Sequence, residues 1–322
     1  MSRRFVGRVV LVTGASSGIG AELARQFAAE GARVVLASRD VARLEAVAAE
    51  LRAHGGDAFV VSLDVSVGES CRAAIEQAVA HYGKLDILVN NAGLRFHGRL
   101  DEITDLTIFD TIMRVNYLGA VWCTAFALPH LKQSRGQIVA IASLQSWAGV
   151  PTRSAYCASK HAMMGFFDSI RVELEDDGVS VTVIYPSFVY AEDHGRVIAP
   201  DGTSLGDKAY KRPPGDAMSA EECCRLTLNA VAKRKRHVLM TWRAKVGRVL
   251  KLVSPALVDR LTKSAVRVRR VGEAVGSWPR WEPGWEPGWR SGFCGVAVSC
   301  WRDLRASAAE SRRVVLIGWA QV

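Results

Sequence analysis

The run Val9-Val10-Leu11-Val12-Thr13-Gly14-Ala15-Ser16-Ser17-Gly18-Ile19-Gly20 decides the fold. Its first five residues, apolar or β-branched without alternation, suit a strand buried on both faces. The glycines that follow give the turn its meaning. Gly14 permits a sharp exit from the strand, Gly18 lets the backbone approach a pyrophosphate, and Gly20 lets the next helix sit close to the sheet. The anion then faces the amides and positive dipole end of a helix starting near Ile19. A turn that merely needs glycines is the plainer alternative; the strand before it and the amphipathic helix after it favour a dinucleotide site.

Working outward, short β-branched runs recur at Val9–Thr13, Val34–Ala37, Ala58–Leu63, Ile87–Asn90, Ile138–Ala142, Val179–Ile184 and His237–Thr241, with helical patterns between them. That rhythm belongs to βαβ units. The sequence predicts an α/β protein: one Rossmann-fold domain, residues 1–245, with a doubly wound parallel seven-stranded sheet and helices on both faces. Leu23, Ala24 and Phe27 stand at helical spacing before Gly31, a natural helix stop, and Asp40 is placed to cap the next helix.

The charge is unevenly distributed. Residues 1–222 carry 22 Lys/Arg against 26 Asp/Glu, whereas residues 223–322 carry 20 against 6, so the net charge of +10 belongs to the C-terminal third. Residues 246–273 continue an amphipathic pattern that begins at 242, with Val246, Val249, Leu250, Val253, Leu257 and Leu261 interleaved with basic residues. This predicts a basic helix pair broken near Pro255. It packs on the sheet with its cations in water, or it lies on an anionic membrane surface. Residues 274–322 hold six of the nine Trp and a tandem Trp-Glu-Pro-Gly, and predict a low-complexity, disordered tail without a catalytic role. The seven cysteines form no CxxC pair and no cluster with His at zinc spacing, so reduced thiols and no metal are expected. No apolar run reaches the ~20 residues of a membrane span, and the first residues enter a strand directly, so a cytoplasmic protein is expected, with peripheral membrane contact through 242–270 as an addition.

Further motifs carry the chemistry. Asn90-Asn91-Ala92-Gly93 follows the fourth strand, Asn116 lies on a later helix, Ser143 ends the fifth strand, and Tyr156-Cys157-Ala158-Ser159-Lys160 follows. Tyr156 and Lys160 stand i and i+4 on one helix face, so an ammonium beside the phenol is expected to favour its ionised form. Ser143, at the C-terminal end of a strand, is placed to hydrogen-bond a carbonyl oxygen. Each has a bland alternative as a surface pair, a turn residue or a satisfied helix-face amide; their joint occurrence outweighs it.

With the Thr-Gly-x-x-x-Gly-x-Gly spacing of the turn, these motifs resemble the classical short-chain dehydrogenase/reductase family over roughly residues 5–245, and more loosely its lipid- and steroid-type branch. The resemblance implies an oxidoreductase interconverting a carbonyl and a secondary alcohol. Tyr156 protonates the oxygen, Lys160 also holds the nicotinamide ribose, and Asn116 supports a proton-relay water. It further implies cofactor contacts at Gly14, Ser16, Ser17, Gly18, Ile19, Gly20, Asn91, Ala92, Gly93, Tyr156 and Lys160, and an adenine contact at Asp64 and Val65. After the sixth strand the family often shows Pro-Gly and then a Thr. Here Pro186, Ser187 and Val189 line that loop, and Ala191 removes a hydroxyl.

Cofactor choice turns on Ala37-Ser38-Arg39-Asp40. Ser38 stands where an acid would meet the ribose hydroxyls of NAD, and Arg39 suits a 2′-phosphate, so NADP(H) is expected, with NAD(H) as second choice. In and just before the segment from Tyr190 to Met218, Phe188, Tyr190, Ile198, Leu205 and Tyr210 suggest an apolar lid. Leu94, Phe96, Leu144, Trp147 and Val150 offer further apolar wall or core, so a small, hydrophobic or lipid-like carbonyl compound is the expected substrate. The rival reading is a non-catalytic NADPH-binding regulator whose basic region, with Lys233-Arg234-Lys235-Arg236, contacts nucleic acid or membrane. The intact catalytic group argues against it, and no nucleic-acid partner is expected. The family's habit predicts a homodimer or homotetramer through helices at about 105–131 and 154–175.

Overall fold

The computed structural model describes residues 3–190, 197–205 and 217–265. Strand β1 (Val9–Thr13) is buried along its whole length, and its alternating side chains feed two different cores. Val9 and Leu11 point into one apolar cluster with Cys71, Ile75, Ala127 and Phe167. Val10 and Val12 point into the other, with Leu23, Phe27, Leu44 and Leu228. A strand apolar at every position therefore needs helices on both faces, each buried Val or Leu contributing roughly 1.5–3 kcal/mol.

In chain order, β1 is followed by α1 (Gly18–Ala29), β2 (Arg33–Ser38), α2 (Val41–Ala53), β3 (Asp57–Ser62), α3 (Gly68–Tyr82), β4 (Ile87–Asn90) and the two-residue β5 (Arg95–Phe96). Next come α4 (Thr107–Met113), α5 (Gly119–Ser134), β6 (Gln137–Ile141), α6 (Ser154–Glu173) and β7 (Ser180–Tyr185). The remainder are the short β8 (Val189–Tyr190), β9 (Val197–Ile198) and β10 (Met218–Ser219), then α7 (Ala220–Ala232), β11 (His237–Leu239), α8 (Trp242–Val253) and α9 (Pro255–Ala265). The main sheet has seven strands in the order β11-β7-β6-β4-β1-β2-β3. All its pairings are parallel, with Val10 opposite both Val34 and Ile87. The order reverses at β1, which opens a crevice beyond the C-terminal ends of β1 and β4.

This is the doubly wound Rossmann architecture read from the sequence, with strand ends shifted by a residue or two. Asp40 caps α2 as expected: its carboxylate accepts the Arg43 N–H at 3.1 Å. The basic helix pair also appears: helix α8 begins at Trp242, and the break falls at Ser254, with Pro255 as the first residue of α9. Proline fits there because the first helical N–H has no partner to lose. The expected tail, 274–322, lies outside the described residues, as do 191–196 and 206–216 of the expected lid. No helix among the described residues is long and apolar enough to cross a membrane.

Candidate active site

The glycine turn and the segment after β4 brace each other. Gly14 and Gly18 have φ of +68° and +56°, the left-handed region that glycine enters without a side-chain clash. A Cβ on Gly20 would lie 2.2 Å from the Gly14 carbonyl oxygen, so only glycine lets α1 approach its own turn. Asn91 closes the arrangement: its side-chain amide donates to the Thr13 carbonyl at 2.9 Å. The Thr13 hydroxyl accepts the backbone N–H groups of Asn91 and Ala92, both at 3.0 Å, and donates to the Val89 carbonyl at 3.2 Å. Thr13 is a residue the motif reading left without a role, although it begins the turn motif.

At the end of β2, Ser38 is buried and its Oγ has no hydrogen-bond partner among the described residues. Arg39 is exposed. Asp40 Oδ1 is taken up in capping α2, while the rest of its carboxylate is exposed. Across from it, burial would push the Asp64 carboxyl up, but the Ser66 N–H at 2.9 Å and hydroxyl at 2.6 Å hold it below its ordinary value, aided by the charge of Arg39. Val65 is buried beside it.

The second half of the site gathers at the end of β6. Ser143 lies close enough to the Tyr156 phenol to draw its pKa down, and its Oγ also accepts the Gln145 N–H at 3.2 Å. Tyr156 rises from the first turns of α6 and packs against a small cluster of Phe96, Ile108, Ile112 and Ala155. Lys160, one turn on, is 3% exposed, and its Nζ lies 5.7 Å from the Tyr156 ring centre. It donates to the Ile141 carbonyl at 2.9 Å. A Cβ built on Gly93 would stand 3.3 Å from Asn116 Oδ1 and 3.8 Å from Lys160 Nζ, which measures how closely these segments converge.

Asn116 sits in a single π-helical turn, Arg114–Leu118, between α4 and α5, where irregular helix often marks a site. It is fully buried. Its amide donates to the Leu94 carbonyl at 2.9 Å and to Ser159 Oγ at 2.9 Å, and its Oδ1 accepts the Leu94 N–H at 2.7 Å. Both amide hydrogens are thus committed to protein partners. The residue joins the 91–94 segment to α6 through Ser159, whose hydroxyl donates to the Tyr156 carbonyl at 2.8 Å. Ser159, inside the Tyr-x-x-x-Lys motif, was legible as a residue but not as this link.

One expectation needs correction. The sequence predicts that the Lys160 ammonium favours an ionised Tyr156. Instead burial raises the phenol above its ordinary value, outweighing the Ser143 hydrogen bond and the charges of Arg95 and Arg153, which act the other way. The i, i+4 spacing fixes the helix face but not the direction of a long side chain. Nζ turns to the Ile141 carbonyl, and burial pushes Lys160 itself down to about 8. Arg95 and Arg153 were not recognised from the sequence.

Leu94 of the expected apolar wall and Ile198 of the expected lid pack with Tyr156 against the Phe96 cluster, while Phe96 is 1% exposed and serves as core. Trp147 faces elsewhere, with its ring 5.4 Å from that of Tyr185 and beneath Arg248. Pro186 accepts the Leu144 N–H at 3.2 Å and ties the loop after β7 to the end of β6; Val189 pairs with Met218, and Ser187 is half-buried.

The glycine turn at a helix N-terminus, the unpartnered Ser38 hydroxyl and the Gly93 floor beside Lys160 fit a nicotinamide dinucleotide laid across the crevice. Fold and site together define an NAD(P)-dependent oxidoreductase acting on CH–OH groups. The profile of the short chain dehydrogenase family matches residues 8–199, and the chain belongs to that family. It is 36% identical over 263 residues to "11-beta-hydroxysteroid dehydrogenase 1A" of Arabidopsis thaliana, covering 80% of this chain and 75% of that one. It is 35% identical over 268 residues to "Dehydrogenase/reductase SDR family member 7B" of Mus musculus, covering 81% and 82%. A solved short chain dehydrogenase/reductase from Burkholderia phymatum in complex with NAD superposes with a TM-score of 0.68 at 25% identity, covering 79% of this chain and 96% of that one. An alcohol dehydrogenase from Thermococcus sibiricus complexed with 5-hydroxy-NADP gives 0.63 at 27% identity, covering 72% and 95%.

Proposed function

We propose that the protein is an NADPH-dependent reductase of a ketone on an apolar, steroid- or lipid-like molecule, with Tyr156 as the proton donor. The observation that carries this reading is the buried Lys160, 5.7 Å from the Tyr156 ring centre and bonded to the Ile141 carbonyl at the strand end that leads to Ser143. The reduced nicotinamide, when bound, supplies the hydride. The Ser143 and Tyr156 hydroxyls receive the substrate oxygen. Tyr156, kept protonated at neutral pH by burial, gives that oxygen its proton. Lys160 meets the ribose at the Gly93 floor, and Asn116 is a positioning residue that holds this floor against α6. The Gly14–Gly20 turn binds the pyrophosphate, and Ala92, Pro186, Ser187 and Val189 flank the nicotinamide end.

Exposed Arg39, a buried Ser38 in place of an acid and the commitment of Asp40 to α2 support NADPH over NADH. Asp64 and Val65 border the adenine. The names of the relatives, with Leu94 and Ile198 beside Tyr156, support an apolar substrate of steroid-like size. Assembly as a homodimer or homotetramer, a domain ending near 245, and no part in turnover for 274–322 complete the reading. Oxidation of NADPH and of NADH, measured in parallel against aromatic, steroid and acyl ketones, tests cofactor and substrate class together. No turnover with any of them would overturn it.

A further inference from the structure

Helices α8 and α9 carry an apolar face that nothing among the described residues covers. On α8, Trp242, Val246, Val249 and Val253 recur at intervals of four, three and four, with Leu252 beside them; Leu257 and Leu261 continue on α9. These seven side chains are 41% to 82% exposed, and they are half of the exposed large hydrophobics of the described chain. A monomeric surface rarely keeps a contiguous apolar patch of this kind. The helices do not bury this face in the domain: Ala244 is the only buried residue of α8. A separate set of contacts seats α8. Thr241 caps it, its hydroxyl accepting the Ala244 N–H at 3.2 Å, and the Arg248 guanidinium lies 3.9 Å from the Trp147 ring centre.

The charge identifies the occupant. Residues 242–265 carry six basic residues, Arg243, Lys245, Arg248, Lys251, Arg260 and Lys263, against one acidic residue, Asp259. A second copy of the same face would oppose cation to cation. An anionic surface would not, and an apolar stripe flanked by Lys, Arg and Trp is the composition that lies in the headgroup region of a bilayer. The geometry points to α8 and α9 as a peripheral docking surface for anionic phospholipid membranes. Its edge is set by Arg248 on Trp147, four residues beyond Ser143, so the docked face stands next to the segment that bears the site. The docking does not depend on the proposed reaction.

The full chain is sedimented with phosphatidylcholine vesicles that contain or lack phosphatidylserine. Binding to the anionic vesicles is expected to exceed binding to the neutral ones by about tenfold or more, and to weaken as salt is raised. The double variant Val249→Glu/Leu252→Glu and the charge variant Lys245→Glu/Lys263→Glu are each expected to lose about tenfold or more of that binding. Their melting temperature and NADPH oxidation stay as in the parent, because the four side chains are exposed and outside the site. Equal sedimentation with both vesicle types overturns the assignment. So does full binding by the Val249→Glu/Leu252→Glu variant, which basic residues beyond 265 could sustain without these helices. A variant that instead converts a dimer into a monomer, with vesicle binding unchanged, gives the face to a second copy.

Discussion

Lys160 Nζ donates a 2.9 Å hydrogen bond to the carbonyl of Ile141, two residues before Ser143, so the buried cation of α6 is tied to the strand end that leads to the Ser143 hydroxyl. Burial holds its pKa near about 8, below the ordinary lysine value. The sign of the consequence follows from proton linkage. Between that value and the unfolded value near ~10.4, the unfolded chain binds more protons, so the protein gains stability as pH rises through this window. Lys160→Met lacks the effect. Its melting temperature relative to the parent is expected to be higher at pH 7 than at pH 10, and its turnover to fall by about a hundredfold or more. Thermal melts across this pH range, with NADPH oxidation at neutral pH, check both; a difference in melting temperature that is flat with pH would contradict it.

Burial keeps the Tyr156 phenol protonated, whereas the Ser143 hydrogen bond acts in the opposite direction. Carbonyl reduction is therefore expected to hold its rate through neutral pH. Alcohol oxidation, which needs the phenolate, is expected to rise into the alkaline range. Ser143→Ala removes a stabilising partner of the phenolate, so the alkaline limb moves to higher pH as kcat/KM drops about tenfold or more. Profiles of kcat/KM against pH in both directions test this.

Gly20→Ala is expected to abolish cofactor binding or folding of the turn, because the new Cβ would stand 2.2 Å from the Gly14 carbonyl oxygen and 2.5 Å from Asn91 Nδ2. Backbone has to move to admit it, at about 1–3 kcal/mol. Melting curves with and without NADPH separate the two losses; a variant that binds and melts like the parent would refute the close approach.

Arg39→Ala is expected to weaken NADPH by about tenfold or more with little change for NADH, since a charge-assisted contact to a 2′-phosphate contributes roughly 1.5–3 kcal/mol. Titration of both cofactors gives the ratio. Equal loss for the two would place Arg39 away from that phosphate.

Asp86, 2% exposed at the opposite end of the sheet, accepts the Val9 N–H at 2.9 Å and pairs with Lys84 at 2.9 Å and Arg8 at 2.8 Å. Burial would raise its pKa, but these partners lower it. Its contribution is present above the unfolded carboxylate value and is lost as pH falls through the folded one. Asp86→Ala should cost about 1–3 kcal/mol near neutral pH, chiefly by leaving the buried Val9 N–H without an acceptor, less in acid, and leave turnover per folded molecule unchanged. Denaturant unfolding at the two pH values decides it.

The seven strands were legible because both-face burial makes them apolar at nearly every position, and Asp40 was legible because a cap needs only local geometry. Other features depend on contacts between distant segments. Burial of the Tyr156 phenol reverses its expected sign, and no spacing within α6 encodes that burial or the bond from Lys160 to Ile141. The π turn at Asn116 shows no distinct periodicity in a helical stretch. Arg95 and Arg153 come near Tyr156 only through the turns that follow Gly93 and precede α6. Likewise, the apolar stripe of α8 and α9 was visible as a pattern, whereas its exposure depends on how α8 is seated by Thr241 and Arg248.

The most direct test of the central claim is NADPH oxidation with the ketone panel by the parent and by Tyr156→Phe, with NADPH binding measured on both. Turnover by the parent is expected with at least one apolar ketone. The variant is expected to lose a hundredfold or more of that turnover while NADPH affinity stays within about threefold. Turnover that survives Tyr156→Phe intact would contradict the assignment of this residue as proton donor.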